Sequence, residues 1–417
     1  MTLDDWLHRL ERLHYKAIDM GLERVSQVAG RLDLLLQLPF IFTIGGTNGK
    51  GSTVAFLESI LLAAGRQVGT YTSPHLIAFN ERVRINGHDV DDDSLIQAFE
   101  QIESARNGIS LTYFEFTTLA AMLVFKQHNL DVLVLEVGLG GRLDAVNIWD
   151  ADVAVVTSID LDHQQFLGDT REQIGLEKIG IGRNGRPLVL GEQNTPPLVL
   201  QSAQALGLKV LQLGEAFNGE EGPAGWTFHG LDDHGHPLHR GPFAPTTLYW
   251  HNALAALQAL ALSPFLPEPD ALSQGLARAS LTGRQQIIKR RPDLMLDVGH
   301  NPHAAAHLAR RLEQDCYPRV HCIIGMLKDK ALANSLSELL PAVDCWYPVS
   351  LDGDRGQDAA PIAQQIHEAG GRVGFTANSP SAACKRLLAS AGPEDLILVF
   401  GSFYTVADVI QYCQSDS

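Results

Sequence analysis

The segment Ile44-Gly45-Gly46-Thr47-Asn48-Gly49-Lys50-Gly51-Ser52-Thr53 constrains this chain more than any other. It follows a short apolar run at 40–43 that reads as a buried strand. It precedes residues 54–64, whose apolar positions recur at helical spacing. A strand, a glycine-rich turn holding one lysine, and a helix that opens with hydroxyl residues make a cradle for phosphate. Backbone N–H groups and the helix N-terminus face the anion, Lys50 supplies a mobile positive charge, and Ser52 or Thr53 reaches a metal ion. Glycine is required where a Cβ would hold the backbone away from phosphate. The pattern departs from the common P-loop, because the first glycine is displaced and Gly51 stands between the lysine and the hydroxyl. An ordinary glycine-rich turn is the competing reading, and the flanking strand and helix weigh against it. The expected ligand is a nucleoside triphosphate.

At 417 residues the chain exceeds what one core usually organises, so two domains are expected. A formal net charge of −16 disfavours nucleic acid, whose phosphates need a basic face. No run approaches the roughly 20 apolar residues of a membrane span. The N-terminus lacks a basic start and a long apolar stretch, so no signal peptide is read there. Five cysteines without a Cys-x-x-Cys pair suggest free thiols in a reducing compartment, and the expected location is cytoplasmic.

Beyond the cradle, short apolar strands alternate with amphipathic helices. Strands are expected at 68–71, 132–135 and 153–156, and helices at 93–105 and 115–128. Such alternation implies a mostly parallel sheet covered by helices. Residues 225–240 break the rhythm and read as a hairpin turning at His234-Gly235. Its four histidines (His229, His234, His236, His239) fit no common zinc spacing and are read as exposed hairpin residues. Helices follow at 251–262 and 270–279. A second alternating set begins near 293. The expected fold is thus α/β: an N-terminal P-loop ATPase domain over 1–284, a linker at 285–292 rich in Arg and Lys, and a smaller doubly wound, Rossmann-like domain over 293–417.

Further segments fall at the carboxyl ends of expected strands, where open α/β sheets place their ligands. Thr72-Ser73-Pro74-His75 offers a hydroxyl to a metal ion or is simply a Ser-Pro turn. Glu136 ends a buried strand, where a carboxylate is costly unless a cation meets it, and so becomes a hard-metal candidate. Ser158-Ile159-Asp160-Leu161-Asp162-His163 puts His163 at another strand end, facing the same crevice. Glu177-Lys178 lies near a helix end, and by residue type Lys178 reads as a solvated lysine.

Together these pieces form one ordered series: the cradle, Ser73-Pro74-His75-Leu76, the run from Glu136 to Ala145, Asp162-His163, Glu177-Lys178, His251-Asn252, Gly283-Arg284 and the run from Asp297 to Pro302. The series resembles the folylpolyglutamate synthase branch of the Mur ligase superfamily, and within it the bifunctional bacterial members. The likeness extends from residues 18–25 to 400–403. It implies that Thr47, Asn48, Gly49, Lys50, Gly51 and Ser52 hold the ATP phosphates, and that Ser73, Glu136 and His163 bind Mg²⁺. Lys178 would carry a carbamate formed with CO₂ and so serve a second Mg²⁺. Asn252 would contact the adenosine part of ATP and Arg284 its terminal phosphate, with Asp297 and His300 on the closing surface of the second domain. Asp19, Met20, Gly21 and Leu22, then Thr112, Tyr113, Phe114 and Glu115, then Leu143, Asp144 and Ala145 would contact a pterin acid. One departure is visible: Ala255 stands where the superfamily often has a second Asn after His251-Asn252.

The activity that the resemblance implies is ATP-dependent ligation of L-glutamate to dihydropteroate and to reduced folates through an acyl phosphate. Lys50, Lys178, His163 and Arg284 would form its catalytic set, in a monomer acting on small molecules. A folylpolyglutamate synthase alone, a P-loop phosphotransferase and a nucleotide-dependent binding switch are the other readings.

Overall fold

The apolar runs at 40–43, 132–135 and 153–156 form the middle of a mostly parallel sheet. The computed structural model describes residues 1–16, 18–328, 332–353 and 355–415, which divide into two units, Met1–Ala279 and Ser280–Ser417. The first unit holds β1 (Phe40–Gly45), β2 (Val68–Tyr71), β3 (Val83–Ile85), β4 (His88–Asp89), β5 (Val132–Glu136), β6 (Val153–Val156), β7 (Pro187–Leu190) and β8 (Lys209–Gln212) in one sheet. Their spatial order is β4-β3-β2-β5-β1-β6-β7-β8. All neighbours from β2 to β8 run parallel, and β3 and β4 add an antiparallel edge. Strands β5 and β6 are buried at every position, as continuous Val/Leu runs require when helices cover both faces.

The strand order fixes where a ligand sits. β1 lies between β5 and β6, so the loops leaving the carboxyl ends of β1, β2, β5 and β6 crowd one edge of the sheet. The helix Lys50–Ala63 after β1 is buried along most of its length, and His251–Ala261 and Pro269–Arg278 pack against it. Elsewhere in this unit an aromatic cluster of Trp6, Phe79, Phe99 and Phe116 joins the N-terminal helix Leu3–Leu10 to the helices Asp92–Arg106 and Tyr113–Lys126. Its ring centroids lie 5.7–6.3 Å apart.

The expected hairpin is present as β10 (Gly225–Leu231) and β11 (Pro237–Phe243). It gains a third antiparallel strand, β9 (Asn218–Gly222), that the sequence pattern did not announce. Asn218–Gly222 is mostly polar and exposed, so hydrophobic alternation carries no signal there. Gln258 joins this sheet to the helix His251–Ala261. Its Nε2 donates to Leu231 O at 2.7 Å, and its Oε1 accepts from Leu231 N at 3.1 Å.

The second unit has β12 (Gln286–Lys289), β13 (Asp293–Asp297), β14 (Val320–Ile324), β15 (Cys345–Pro348) and β16 (Leu396–Phe400), in the order β12-β13-β16-β14-β15. All pairs but β12-β13 are parallel. Residues 286–289, read from sequence as linker, are therefore the antiparallel edge strand of the second sheet. Their Arg- and Lys-rich surroundings hid a four-residue strand that shares its ladder with only one neighbour. Among the described residues no helix is long and apolar enough to cross a membrane.

Gln258 is fully buried, so removing its amide strands both main-chain groups of Leu231. Gln258→Leu is expected to destabilise the first unit by about 1–3 kcal/mol. A urea midpoint for that unit equal to wild type would show that the amide pair contributes nothing.

Candidate active site

The cradle forms where β1 ends and the helix Lys50–Ala63 begins. Gly49 precedes the helix with φ +86°, a left-handed conformation, and a Cβ there would come within 2.5 Å of Asn252 Oδ1. Glycine is thus required both by the turn and by the close approach of the next segment. This contact brings Asn252, on the first turn of its own helix, directly against the cradle. The loop is braced from β6: Thr47 N donates to Ser158 O at 2.9 Å, Asn48 N to Ser158 Oγ at 3.0 Å, and Thr47 Oγ1 to Asp160 O at 3.1 Å. Lys50 Nζ folds over the turn and donates to Gly46 O at 3.0 Å and Thr47 O at 3.3 Å. Ser52 and Thr53 are buried in the first turns of the helix.

The neighbouring strand ends complete the edge. Glu136, buried at the end of β5 and in register with Ile44 of β1, accepts from Ser73 N at 3.3 Å. That bond brings the Ser73 and Glu136 segments together. On the β6 side, Asp162 and His163 are adjacent in the loop, with 3.9 Å between His163 Nε2 and Asp162 Oδ2.

Lys178 overturns its sequence reading as a solvated lysine. It lies on the helix Arg171–Ile179 and is 3% exposed. Burial holds its ammonium down to about 7, and the charge of Lys50 pushes in the same direction, against Asp162 and Glu192. A neutral amine is the form that adds CO₂. Helix periodicity alone did not separate this buried position from a surface one.

The side chains expected to hold a divalent ion do not form a dense carboxylate cluster. Among the described residues no three His, Cys, Asp or Glu side chains gather as a metal group. The expected set supplies Glu136, His163 and a Ser73 hydroxyl, and an unmodified lysine would add a repelling charge. The hairpin histidines stay apart from this edge: His234 and His236 are exposed at the turn, and His229 Nδ1 meets His239 Nδ1 at 2.9 Å across the strands.

The three segments expected to hold the pterin acid are brought together in the first unit. Thr112 and Glu115 form a capping box at the start of the helix Tyr113–Lys126. Phe114 lies so close over Gly138 that a Cβ there would be 2.5 Å from its ring. Asp144 accepts from Leu139 N at 2.8 Å and Val146 N at 3.0 Å. Burial pushes its carboxyl up to about 7, although these N–H groups, Gly138 N–H and the charge of Lys50 favour the anion. Asp19 is engaged by Arg24, which falls in the run 18–25 of the family likeness but to which sequence reasoning gave no role.

In the second unit Asp297 ends β13, accepting from Gly299 N at 2.6 Å and Gln285 N at 3.2 Å. Burial raises its carboxyl, against the charge of Arg284 and these two N–H groups. The Arg284 guanidinium stacks 5.8 Å from the Phe403 ring, and His300 lies 6.5 Å from the same ring. Arg284, Asp297 and His300 thus occupy one end of this unit's sheet.

Two family models match: the Mur ligase middle domain over residues 44–216 and the Mur ligase, glutamate ligase domain over residues 283–403. The dihydrofolate synthase/folylpolyglutamate synthase of Escherichia coli (strain K12) is 46% identical over 416 residues, covering 98% of this chain and 95% of that protein. The solved structure of E. coli FolC in complex with DHPP and ADP superposes with a TM-score of 0.93 at 45% identity, covering 100% and 98% of the two chains. A bifunctional folylpolyglutamate synthase/dihydrofolate synthase with Mn, AMPPNP and L-glutamate bound superposes at 0.90 with 44% identity, covering 99% and 98%. The chain belongs to the Mur ligase family, in its dihydrofolate synthase/folylpolyglutamate synthase branch.

Proposed function

We propose that the chain is an ATP-dependent ligase that joins L-glutamate to dihydropteroate, giving dihydrofolate, and to reduced folates, giving folylpolyglutamates. The observation that carries this reading is the family likeness over nearly the full length of the chain, in a first unit that joins a glycine-rich cradle to a buried lysine, Lys178. ADP, AMPPNP, manganese and L-glutamate in the solved relatives support the same ligands here.

A carboxylate does not condense with an amine in water, because oxide is a poor leaving group. Phosphorylation by ATP converts that oxygen into phosphate, which departs readily. Lys50 neutralises charge that develops on the transferring γ-phosphoryl group, and the cradle N–H groups hold the chain of phosphates in line. The amine of L-glutamate then attacks the acyl phosphate, and the tetrahedral species expels phosphate. Ser73, Glu136 and His163 are the residues to hold Mg²⁺, with the Lys178 carbamate serving a second ion. Bound there, the ions offset phosphate charge as Lewis acids. A carbamate on Lys178 would replace an ammonium by an anionic oxygen donor and so would relieve the like-charge conflict with Lys50. Asn252 is assigned to the adenosine part of ATP. Arg284 is assigned a charge on the terminal phosphate, and Asp297 and His300 the nucleotide side of the second unit. Phe114 and Tyr113, next to Glu115 in the chain, suit a flat heterocycle with hydrogen-bonding edges.

Lys50→Ala is expected to keep the fold and lose about 10² or more in ligation rate, the usual loss for a preorganised charge at the reacting group. A folded variant with near wild-type turnover contradicts the cradle assignment. Lys178→Ala is expected to be nearly inactive and to recover in part when short carboxylic acids are added, since these refill the carbamate position. Full activity of that variant in CO₂-depleted buffer would return Lys178 to a purely structural role.

A further inference from the structure

The segments assigned to the acid substrate come from three separate parts of the first unit, and one side chain ties two of them together. Arg24 lies in the first turn of the helix Glu23–Arg31. Its Nη1 donates to Asp19 Oδ2 at 2.7 Å and its Nη2 to Asp19 O at 2.8 Å. The same Nη2 stands 3.1 Å from Glu115 Oε1. Glu115 is already committed on its other oxygen: Oε2 accepts from Thr112 N at 2.7 Å, and Glu115 N donates to Thr112 Oγ1 at 3.2 Å. Its side chain is 5% exposed, so this carboxylate needs a cation to stay buried. Asp19 also meets the Lys16 ammonium at 3.4 Å, and His14 Nε2 lies 3.6 Å from its carboxylate. A planar fork with several donors suits this task, because one guanidinium grips two segments at fixed geometry.

Both gripped segments carry a neighbour onto the same glycine turn. Phe114 sits between Thr112 and Glu115 and lies against Gly138. Met20 follows Asp19 and reaches Gly140, where a Cβ would be 3.6 Å from its terminal methyl carbon. The turn itself is pinned by Asp144 through Leu139 N. Sliding Asp19 relative to Glu115 would therefore move Met20 relative to Phe114 across the pocket floor. Arg24, Asp19 and Glu115 contact one another and Thr112, Lys16 and His14 rather than the cradle; the link to Lys50 runs only through the charge of Asp144 on the turn.

We propose that Arg24 is a positioning residue of the acid pocket: through Asp19 and Glu115 it sets the spacing of Met20 and Phe114, and with it the affinity for the pterin-bearing acid. This rests on the reading of residues 19–22, 112–115 and 143–145 as that pocket. A purely structural arginine would lower stability and affect both substrates alike, whereas a positioning arginine separates them.

The test is steady-state kinetics of wild type, Arg24→Ala and Arg24→Lys with dihydropteroate, L-glutamate and ATP, alongside thermal midpoints. Arg24→Ala is expected to raise the dihydropteroate KM about ten-fold or more, while the ATP KM stays within about two-fold and kcat falls by less than KM rises. Arg24→Lys, which keeps the charge and loses the fork, is expected to fall between. Millimolar guanidinium is expected to lower the raised KM of the alanine variant and leave wild type unchanged. An alanine variant with the wild-type dihydropteroate KM, or with both KM values rising together, overturns the proposal. If Arg24→Ala does not fold, Arg24→Lys carries the same test, with a selective rise in dihydropteroate KM expected of it. A wild-type enzyme that uses neither dihydropteroate nor tetrahydrofolate sinks the functional reading instead, and that result is visible before any variant is compared.

Discussion

Two lysines placed within electrostatic reach in a poorly hydrated part of the first unit set the terms for everything around them. Lys50 belongs to the cradle by its position at the helix start, and Lys178 is carried in from the helix Arg171–Ile179. Lys178 cannot remain a full ammonium ion there at low cost, since its burial and the charge of Lys50 each disfavour its proton. Asp162 and Glu192 offset part of the conflict. The carbamate proposed on Lys178 would offset the rest and would bring oxygen donors to an edge with few carboxylates. An ordinary structural lysine would snorkel to solvent, and this one does not.

The sheet order makes that placement possible. With β1 between β5 and β6 and β2 beyond β5, four loops leave the carboxyl ends of adjacent strands. Each carries one segment assigned to the site: the cradle after β1, Ser73 after β2, Glu136 at the end of β5 with the glycine turn beyond it, and Asp162-His163 after β6. Parallel strands buried on both faces leave little freedom in register, so these pieces hold fixed positions relative to one another. The acid-pocket segments lie on the same unit, with Phe114 and Met20 meeting the glycine turn that leaves β5. The nucleotide and acid assignments thus share one short loop, from Gly138 to Asp144, whose carboxylate interacts with Lys50.

Much of this was legible in the chain itself, for physical reasons that differ by residue. The cradle could be read because its whole signal is local: a buried strand, obligatory glycines and a helix start. Glu136 stood out because a carboxylate ending an apolar run has few structural excuses. Lys178 did not stand out, since only tertiary packing decides whether a helical lysine meets solvent or core. Arg24 was missed for the same reason, its three contacts spanning five residues in one direction and ninety-one in the other. The edge strand Gln286–Lys289 and the strand Asn218–Gly222 escaped because exposed strands in polar sequence lack a hydrophobic period. The short helices Leu3–Leu10 and Glu23–Arg31 were likewise left unassigned, although Thr2 and Asp5 spell a capping box at the first of them.

The central claim is that ATP is spent to join two substrates, and ADP release measures it directly. Wild-type enzyme with ATP and Mg²⁺ is supplied with dihydropteroate or tetrahydrofolate, each with and without L-glutamate. Sustained ADP release is predicted only when an acid and L-glutamate are both present, with one amide formed per ADP and dihydrofolate appearing from dihydropteroate. ADP released at the same rate without L-glutamate, or with no amide product, would contradict the account.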